Sequence, residues 1–170
     1  KVREVVASGT AVFFAAGNCG VPCPSGKCLP SGMGPGRSIH GVNSLAEVVT
    51  VAAVNAWGGR IGYSSQGPGM FEARKPDLAA YSHYYGNFGP GRPGGTEVHP
   101  FDNGTSAACP LAAGVAALIL SAAPGLDPSE LKRILVRAAR RGAAPWNADL
   151  GHGIIDAVAA YRAAVGAVPA

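Results

Sequence analysis

The residues with the clearest capacity for chemistry lie in Asp102-Asn103-Gly104-Thr105-Ser106-Ala107-Ala108-Cys109-Pro110, which runs straight into the apolar stretch 111–120. A serine where a Gly-bearing loop meets a long apolar helix-forming run is placed as a nucleophile needs to be. Gly104 lets the backbone turn tightly with no side chain crowding a substrate. A helix N-terminus favours negative charge developing beside it, and the Ser106 backbone N–H can itself donate to an oxyanion. The plainer reading of this serine is a helix N-cap.

Cysteines and histidines are the other reactive types. Cys19, Cys23 and Cys28 crowd one loop rich in Pro and Gly. Their spacing lacks the two close pairs of a zinc ribbon, and no His stands at ligand spacing. A local disulfide is expected, joining Cys28 to Cys19 or Cys23 and leaving one thiol; reduced thiols or a metal are the alternatives. Cys109, inside the apolar run, reads as a small buried residue. His40, His83, His99 and His152 read as satisfied or solvated side chains.

The surrounding elements must position these groups. The chain has 170 residues, 48% of them hydrophobic, enough to bury one sizeable core. Its 25 Gly and 14 Pro separate short apolar runs, which points to a loop-rich α/β fold rather than a helix bundle. Val2, Val5 and Val6 fit the end of an amphipathic helix closed by Ser8-Gly9. Thr10–Ala16 is almost wholly apolar, as in a strand buried on both faces of a parallel sheet, and it stops at Gly17-Asn18. Leu45–Asn55 is a second β-branched, apolar strand. Asp127-Pro128-Ser129-Glu130 opens a helix with a cap, a first-turn proline and an acid, and Leu131, Ile134, Leu135 and Ala138 form its apolar stripe. The formal net charge of +4 is dispersed, except for Lys132, Arg133, Arg137, Arg140 and Arg141 on the polar side of that helix. These read as a solvated face, not a nucleic-acid surface. No apolar run has the length of a membrane span, and the first residues do not read as a signal peptide.

Several of these segments resemble one family. Gly104-Thr105-Ser106-x-Ala108-x-Pro110-x-x-Ala113-Gly114 is similar to the nucleophile signature of the subtilisin-like serine proteases, the subtilases (peptidase S8), although Leu111 stands where many relatives carry His. In that signature the helix begins at the serine, and small Ala113 and Gly114 suit a helix crossing close beneath a sheet. The run Ala11–Asn18 resembles the strand that delivers the family's oxyanion-hole asparagine, with Asn18 at that position. Ser64, Ser65, Gly67 and Pro68 resemble the Ser-Ser-x-Gly-Pro end of a family segment; the serines read as structural, since a turn uses them for side chain–backbone hydrogen bonds. Lys75-Pro76-Asp77-Leu78-Ala79-Ala80 matches another segment, but Tyr81-Ser82 follows where relatives continue Pro-Gly, so the loop 81–101 is expected to be rebuilt. Its Tyr81, Tyr84, Tyr85, Phe88 and Phe101 suit a loop near a substrate cleft or a plain packed loop. Gly151-x-Gly153-Ile154-Ile155-Asp156-Ala157 resembles the ending of subtilase domains.

The resemblance, from about Ser8 to Ala164, implies a three-layer α/β fold with a mostly parallel sheet flanked by helices, of which residues 1–170 are the C-terminal half. The parts are an oxyanion strand 10–18, a Cys-rich pocket loop 19–44, a strand 45–55, the loop 81–101, a nucleophile helix 106–121 and terminal helices 127–141 and 155–165. It implies a serine endopeptidase acting through an acyl-enzyme on Ser106. Asn18 supplies the oxyanion donor, Gly17 and Gly104 keep the backbone bare, and Thr105 supports the hole with its hydroxyl. The base and its orienting acid precede the oxyanion asparagine in the family. Only 17 residues precede Asn18 here, and none is Asp or His. The expected partners are therefore a peptide or protein substrate and an N-terminal half carrying Asp and His, with this chain inactive alone. No cofactor is required, though the family allows structural calcium, and a secreted or extracytoplasmic location is implied. The rival readings are an inactive subtilase-like scaffold or binding module, and an acyl-transfer ligase or cyclase.

Overall fold

The computed structural model describes residues 1–84, 103–140 and 145–166. Residues 85–101 of the expected rebuilt loop, and with them Tyr85, Phe88, His99 and Phe101, lie outside the described residues, as does Arg141. The described elements are α1 (Val2–Ala7), β1 (Phe13–Ala15), β2 (Val49–Val54), β3 (Leu78–Tyr81), α2 (Thr105–Ala122), α3 (Pro128–Ala138) and α4 (Ala157–Val165). Two short 3-10 turns, Pro30–Gly32 and Gly41–Ser44, punctuate the long connection from β1 to β2.

The three strands form one parallel sheet in the order β1-β2-β3, with Phe13 opposite Val49 and Val51 opposite Leu78. β2 is central and buried along its whole length. Its alternation sorts the two faces. Val49, Val51 and Ala53 join the cluster made with α2, α3 and α4, whereas Ala52 and Val54 pack with Ala16, Ile39 and Ala79 on the opposite face. A strand covered on both sides needs apolar residues at every position, which is why it reads as a continuous run. β1 departs from expectation. It spans three residues, lies at the edge of the described sheet and is half-buried, because its one hydrogen-bonded neighbour among the described residues is β2. The 45–55 run likewise yields a strand only from Val49. β3 adds a strand where the sequence reading placed none.

α2 lies across all three strands. Ala108, Ala112 and Ala116, spaced one turn apart, meet the sheet together with Val115 and Ile119. Gly114 does not; it is exposed, and a side chain there would touch nothing within 4 Å. Small residues do permit the close crossing, but they are alanines on another face. The 18 residues of α2 have a mean hydropathy of 1.7, which by length and composition is enough to span a membrane. This corrects the view that no run has that length. The apolar character serves the core, since the sheet-facing side of α2 is buried. α3 begins with a full capping box: Asp127 Oδ1 accepts from Ser129 N–H at 2.8 Å and Glu130 N–H at 2.9 Å, and the Glu130 carboxylate accepts from Asp127 N–H. Leu131, Ile134 and Leu135 then enter the core, each contributing about 1.5–3 kcal/mol by burial. The Gly151–Asp156 ending docks on β3 through Ala79 N–H to Gly153 O and Ile155 N–H to Ala79 O. Gly151 must be glycine, because a Cβ would lie 2.5 Å from the Pro76 and Asp77 carbonyl oxygens at a φ of 64°.

A buried ionic knot ties α3 to the sheet. Asp77 takes Lys75 Nζ at 2.5 Å, Thr50 N–H at 2.7 Å and Lys132 Nζ at 2.8 Å. Both lysines also donate to Val48 O. Lys132 thus leaves the solvated face expected for it, whereas Arg133, Arg137 and Arg140 are exposed, Arg140 while donating to the Tyr81 hydroxyl at 2.7 Å. Lys75 is fully enclosed, and burial lowers its pKa from 10.5 to about 8 even with Asp77 beside it.

Cys19 and Cys28 form a disulfide, one of the two expected pairings. Cys23 is left as an exposed thiol; Cys109 is partly buried, and that burial pushes its pKa up to about 11.

Removing Asp77 leaves two lysines facing each other in the interior, so Asp77→Ala is expected to cost about 3–5 kcal/mol in urea unfolding. The Lys75 pKa is lower in the folded than in the unfolded state, so the folded protein binds fewer protons between about pH 8 and 10.5. Its contribution to stability therefore rises across that window. Lys75→Met should lose this rise; comparing it with the wild type cancels the opposite slope from Cys109, and equal slopes would refute the assignment. Thiol titration is expected to find Cys23 reacting in the native state, Cys109 on unfolding, and Cys19 and Cys28 only after reduction. Two fast thiols in the native protein would contradict it.

Candidate active site

Parallel strands deliver their carboxyl ends to one edge of the sheet, and the candidate residues gather there. β1 continues through Ala16 into Gly17, whose φ is 107° and whose missing Cβ would lie 2.9 Å from Ser65 Oγ. Asn18 follows, half-buried. From the other side Gly104 enters α2 with a φ of 79°. A Cβ on Gly104 would stand 3.1 Å from Asn18 Nδ2, so the missing side chain is what gives the amide its room.

Ser106 is exposed and is the second helical residue. The N-cap is Gly104, whose carbonyl accepts from Ala107 N–H at 3.1 Å, so the N-cap reading of the serine is set aside. The Ser106 N–H belongs to the first turn, where amides have no partner inside the helix. Pro110, one turn on, has no N–H to give the Ser106 carbonyl.

Asn18 and Thr105 lock together. Asn18 Oδ1 accepts from both the Thr105 N–H and the Thr105 hydroxyl, each at 2.9 Å. Thr105 Oγ1 in turn accepts from Gly17 N–H at 3.2 Å. With its carbonyl oxygen doubly engaged, the amide has one orientation, and Nδ2 is the end turned away from Thr105. The arrangement offers a fixed neutral donor, an exposed hydroxyl and a helix N-terminus in one place. Those are the parts that stabilise an oxyanion formed by attack of a serine on a carbonyl.

The Cys-rich loop is anchored beside this edge. Ser65 Oγ accepts from Cys19 N–H at 3.1 Å and Ser64 Oγ accepts from Ala53 N–H at 3.0 Å, which fits the structural role expected of both serines. Arg60, which the sequence reading did not single out, donates to the Val21 and Ser64 carbonyls and pairs with Asp149 at 3.0 Å.

Three further residues at the site were not anticipated. The Tyr63 hydroxyl accepts from Gly104 N–H at 2.8 Å, Ser82 donates to the Gly104 carbonyl at 2.9 Å, and His83 Nε2 lies 3.0 Å from Tyr63 Oη. The departure at Tyr81-Ser82 was the available signal. His40 is exposed and His152 Nδ1 lies 2.9 Å from the Pro145 carbonyl. Among the described residues no hydrogen bond joins a histidine to Ser106.

Residues 1–153 match the subtilase family, Peptidase_S8. The chain is 32% identical over 189 residues to the calcium-dependent protease of Trichormus variabilis, covering 95% of this chain and 26% of that protein. It is 33% identical over 165 residues to the extracellular protease of Xanthomonas campestris pv. campestris, covering 96% of this chain and 25% of that protein. The chain thus spans about a quarter of the length of these relatives. A solved protease from Pseudoalteromonas arctica superposes with a TM-score of 0.66 at 29% identity, over 96% of this chain and 45% of that one. Sequence motifs, site geometry and fold agree, and this chain belongs to the subtilase family.

Proposed function

We propose that this chain is the C-terminal portion of the catalytic domain of a serine endopeptidase, with Ser106 as nucleophile. The observation that carries the reading is the double hydrogen bond from Thr105 to Asn18 Oδ1 beside an exposed Ser106. Ser106 Oγ attacks the scissile carbonyl as its proton passes to a histidine supplied by an N-terminal segment, itself held by an aspartate of that segment. Asn18 Nδ2 and the Ser106 N–H receive the oxyanion. The amine departs with the proton, and water hydrolyses the acyl-enzyme.

Two features support a partner segment on this side. Among the described residues one edge of β1 is unpaired, and α2 presents Ser106, Pro110, Gly114 and Leu118, four residues apart, as an exposed ridge. Among the described residues no histidine is hydrogen-bonded to Ser106, and on this reading the chain alone is inactive. The disulfide and the relative named extracellular protease support an extracytoplasmic location. One relative is named calcium-dependent, but the described residues hold no group of three or more His, Cys, Asp or Glu that could bind a metal ion. Structural calcium is supported by that relative's name alone, and no step runs through calcium.

A fluorophosphonate should label Ser106 in the complete protein that contains this chain, and neither the Ser106→Ala variant nor the isolated 170-residue chain. Absence of labelling in the folded complete protein would favour an inactive scaffold instead. Asn18→Ala is expected to lower kcat by about 100- to 1000-fold with little change in KM, a magnitude known from subtilisin, a member of this same family.

A further inference from the structure

We propose that Tyr63, Ser82 and His83 form a clamp on the Gly104 peptide that sets the attack geometry of Ser106, making them positioning residues of the peptidase. The inference rests on the protease reading above. Gly104 joins the nucleophile loop to α2, is buried, and has no side chain by which neighbours could hold it. Its orientation is set through its own N–H and C=O. Both are gripped, the N–H by Tyr63 Oη at 2.8 Å and the C=O by the Ser82 hydroxyl at 2.9 Å. Tyr63 Oη lies 3.3 Å from Ser82 Oγ and 3.0 Å from His83 Nε2, so the two grips are linked.

The protons balance. Ser82 gives its proton to the Gly104 carbonyl, which leaves its oxygen able to accept. Tyr63 accepts from Gly104 and has one proton, which goes to His83 Nε2 in one tautomer of the imidazole and to Ser82 Oγ in the other. No donor is stranded in either case. His83 has a φ of 61°, and among the described residues it is the non-glycine residue with positive φ. Such a backbone costs free energy and persists where surrounding contacts over-determine it. Here it brings the imidazole to within 5.8 Å of the Tyr63 ring, centroid to centroid. Tyr84, next in the chain, donates to the Ala107 carbonyl at 2.7 Å, so this short segment holds both the loop and the first turn of α2.

The clamp acts from the β3 side, opposite the Asn18–Thr105 lock on the β1 side. Rotation of the Gly104 peptide shifts the Thr105 and Ser106 amides that follow it. Oxyanion donors work within about 2.7–3.1 Å of the developing charge, so a small shift is felt in the transition state. Binding of the peptide in its ground state is not equally sensitive, and the loss should fall on kcat.

The test is peptide hydrolysis and fluorophosphonate labelling by the complete protease, as wild type, Tyr63→Phe, Ser82→Ala and the double variant, with thermal unfolding alongside. Each single variant is expected to lower kcat roughly 5- to 20-fold with KM within about twofold, and the double variant to lose little more than the worse single one, as residues acting as one unit do. Unchanged kcat, or a loss confined to KM, overturns the clamp. Should Tyr63→Phe fail to fold, His83→Asn carries the test from the exposed end, since Asn tolerates positive φ; a lowered kcat supports the clamp and an unchanged one overturns it. A folded wild type that does not label removes the protease reading and the clamp with it. That result is distinct from a wild type that labels and variants that match it.

Discussion

The direction of the strands is the constraint from which the site follows. Because β1, β2 and β3 are parallel, the residues leaving β1 and β3 emerge at the same edge. Asn18 comes from one and Ser82 from the other, and the Gly104 turn arrives between them. Neither strand reaches Ser106 directly. Each holds the backbone just before it, through Thr105 on one side and Gly104 on the other. In the proposed mechanism Ser106 can stay exposed to a substrate because the restraint falls on its two predecessors. Backbone hydrogen bonds to buried groups suit this purpose, since leaving such a group unpaired costs about 1–3 kcal/mol.

Away from the nucleophile loop, the sheet is secured by charge. The segment that opens β3 brings Lys75 and Asp77 under the start of β2, and Lys132 closes the knot from α3. Such an arrangement is a costly way to hold two layers, because desolvation opposes the attraction between the charges. The depressed pKa of Lys75 records that opposition. What offsets it is complete hydrogen bonding: Asp77 also accepts from Thr50 N–H, and Lys75 and Lys132 both reach the Val48 carbonyl. The knot fixes where α3 sits on the sheet. Through Leu131 and Leu135 it also fixes the face on which α2 rests.

The site was legible in the sequence where chemistry and backbone geometry coincide at one residue. Gly104, Thr105 and Ser106 announce a turn, a hydroxyl and a helix start in three positions, and the structure assembles them with Asn18. The Asp127 capping box was legible for the same reason, since its hydrogen bonds are local. What escaped notice depends on contacts between distant segments. Tyr63 and Ser82 are 19 residues apart and meet each other and Gly104 only once the chain is folded. Lys132 looked like one of several solvated cations, and nothing local to α3 reveals that Asp77 waits across the interface. β1 was read as doubly buried from its composition, which reports what a strand prefers to touch and not which neighbours it has.

That last difference bears on how the site operates. Phe13 and Phe14 suit a strand with neighbours on both sides, yet among the described residues β1 is half-buried and bonded on one side. The exposed ridge of α2 runs from Ser106 through Pro110 and Gly114 on the face turned away from the sheet. Small residues along that ridge allow another backbone to come close, and a Cβ at Gly114 would meet nothing in this chain. In the proposed mechanism a base approaches Ser106 from a direction that Asn18 and Thr105 do not occupy. The edge of β1 that is unpaired among the described residues and the exposed ridge of α2 leave such a direction for the proposed partner segment.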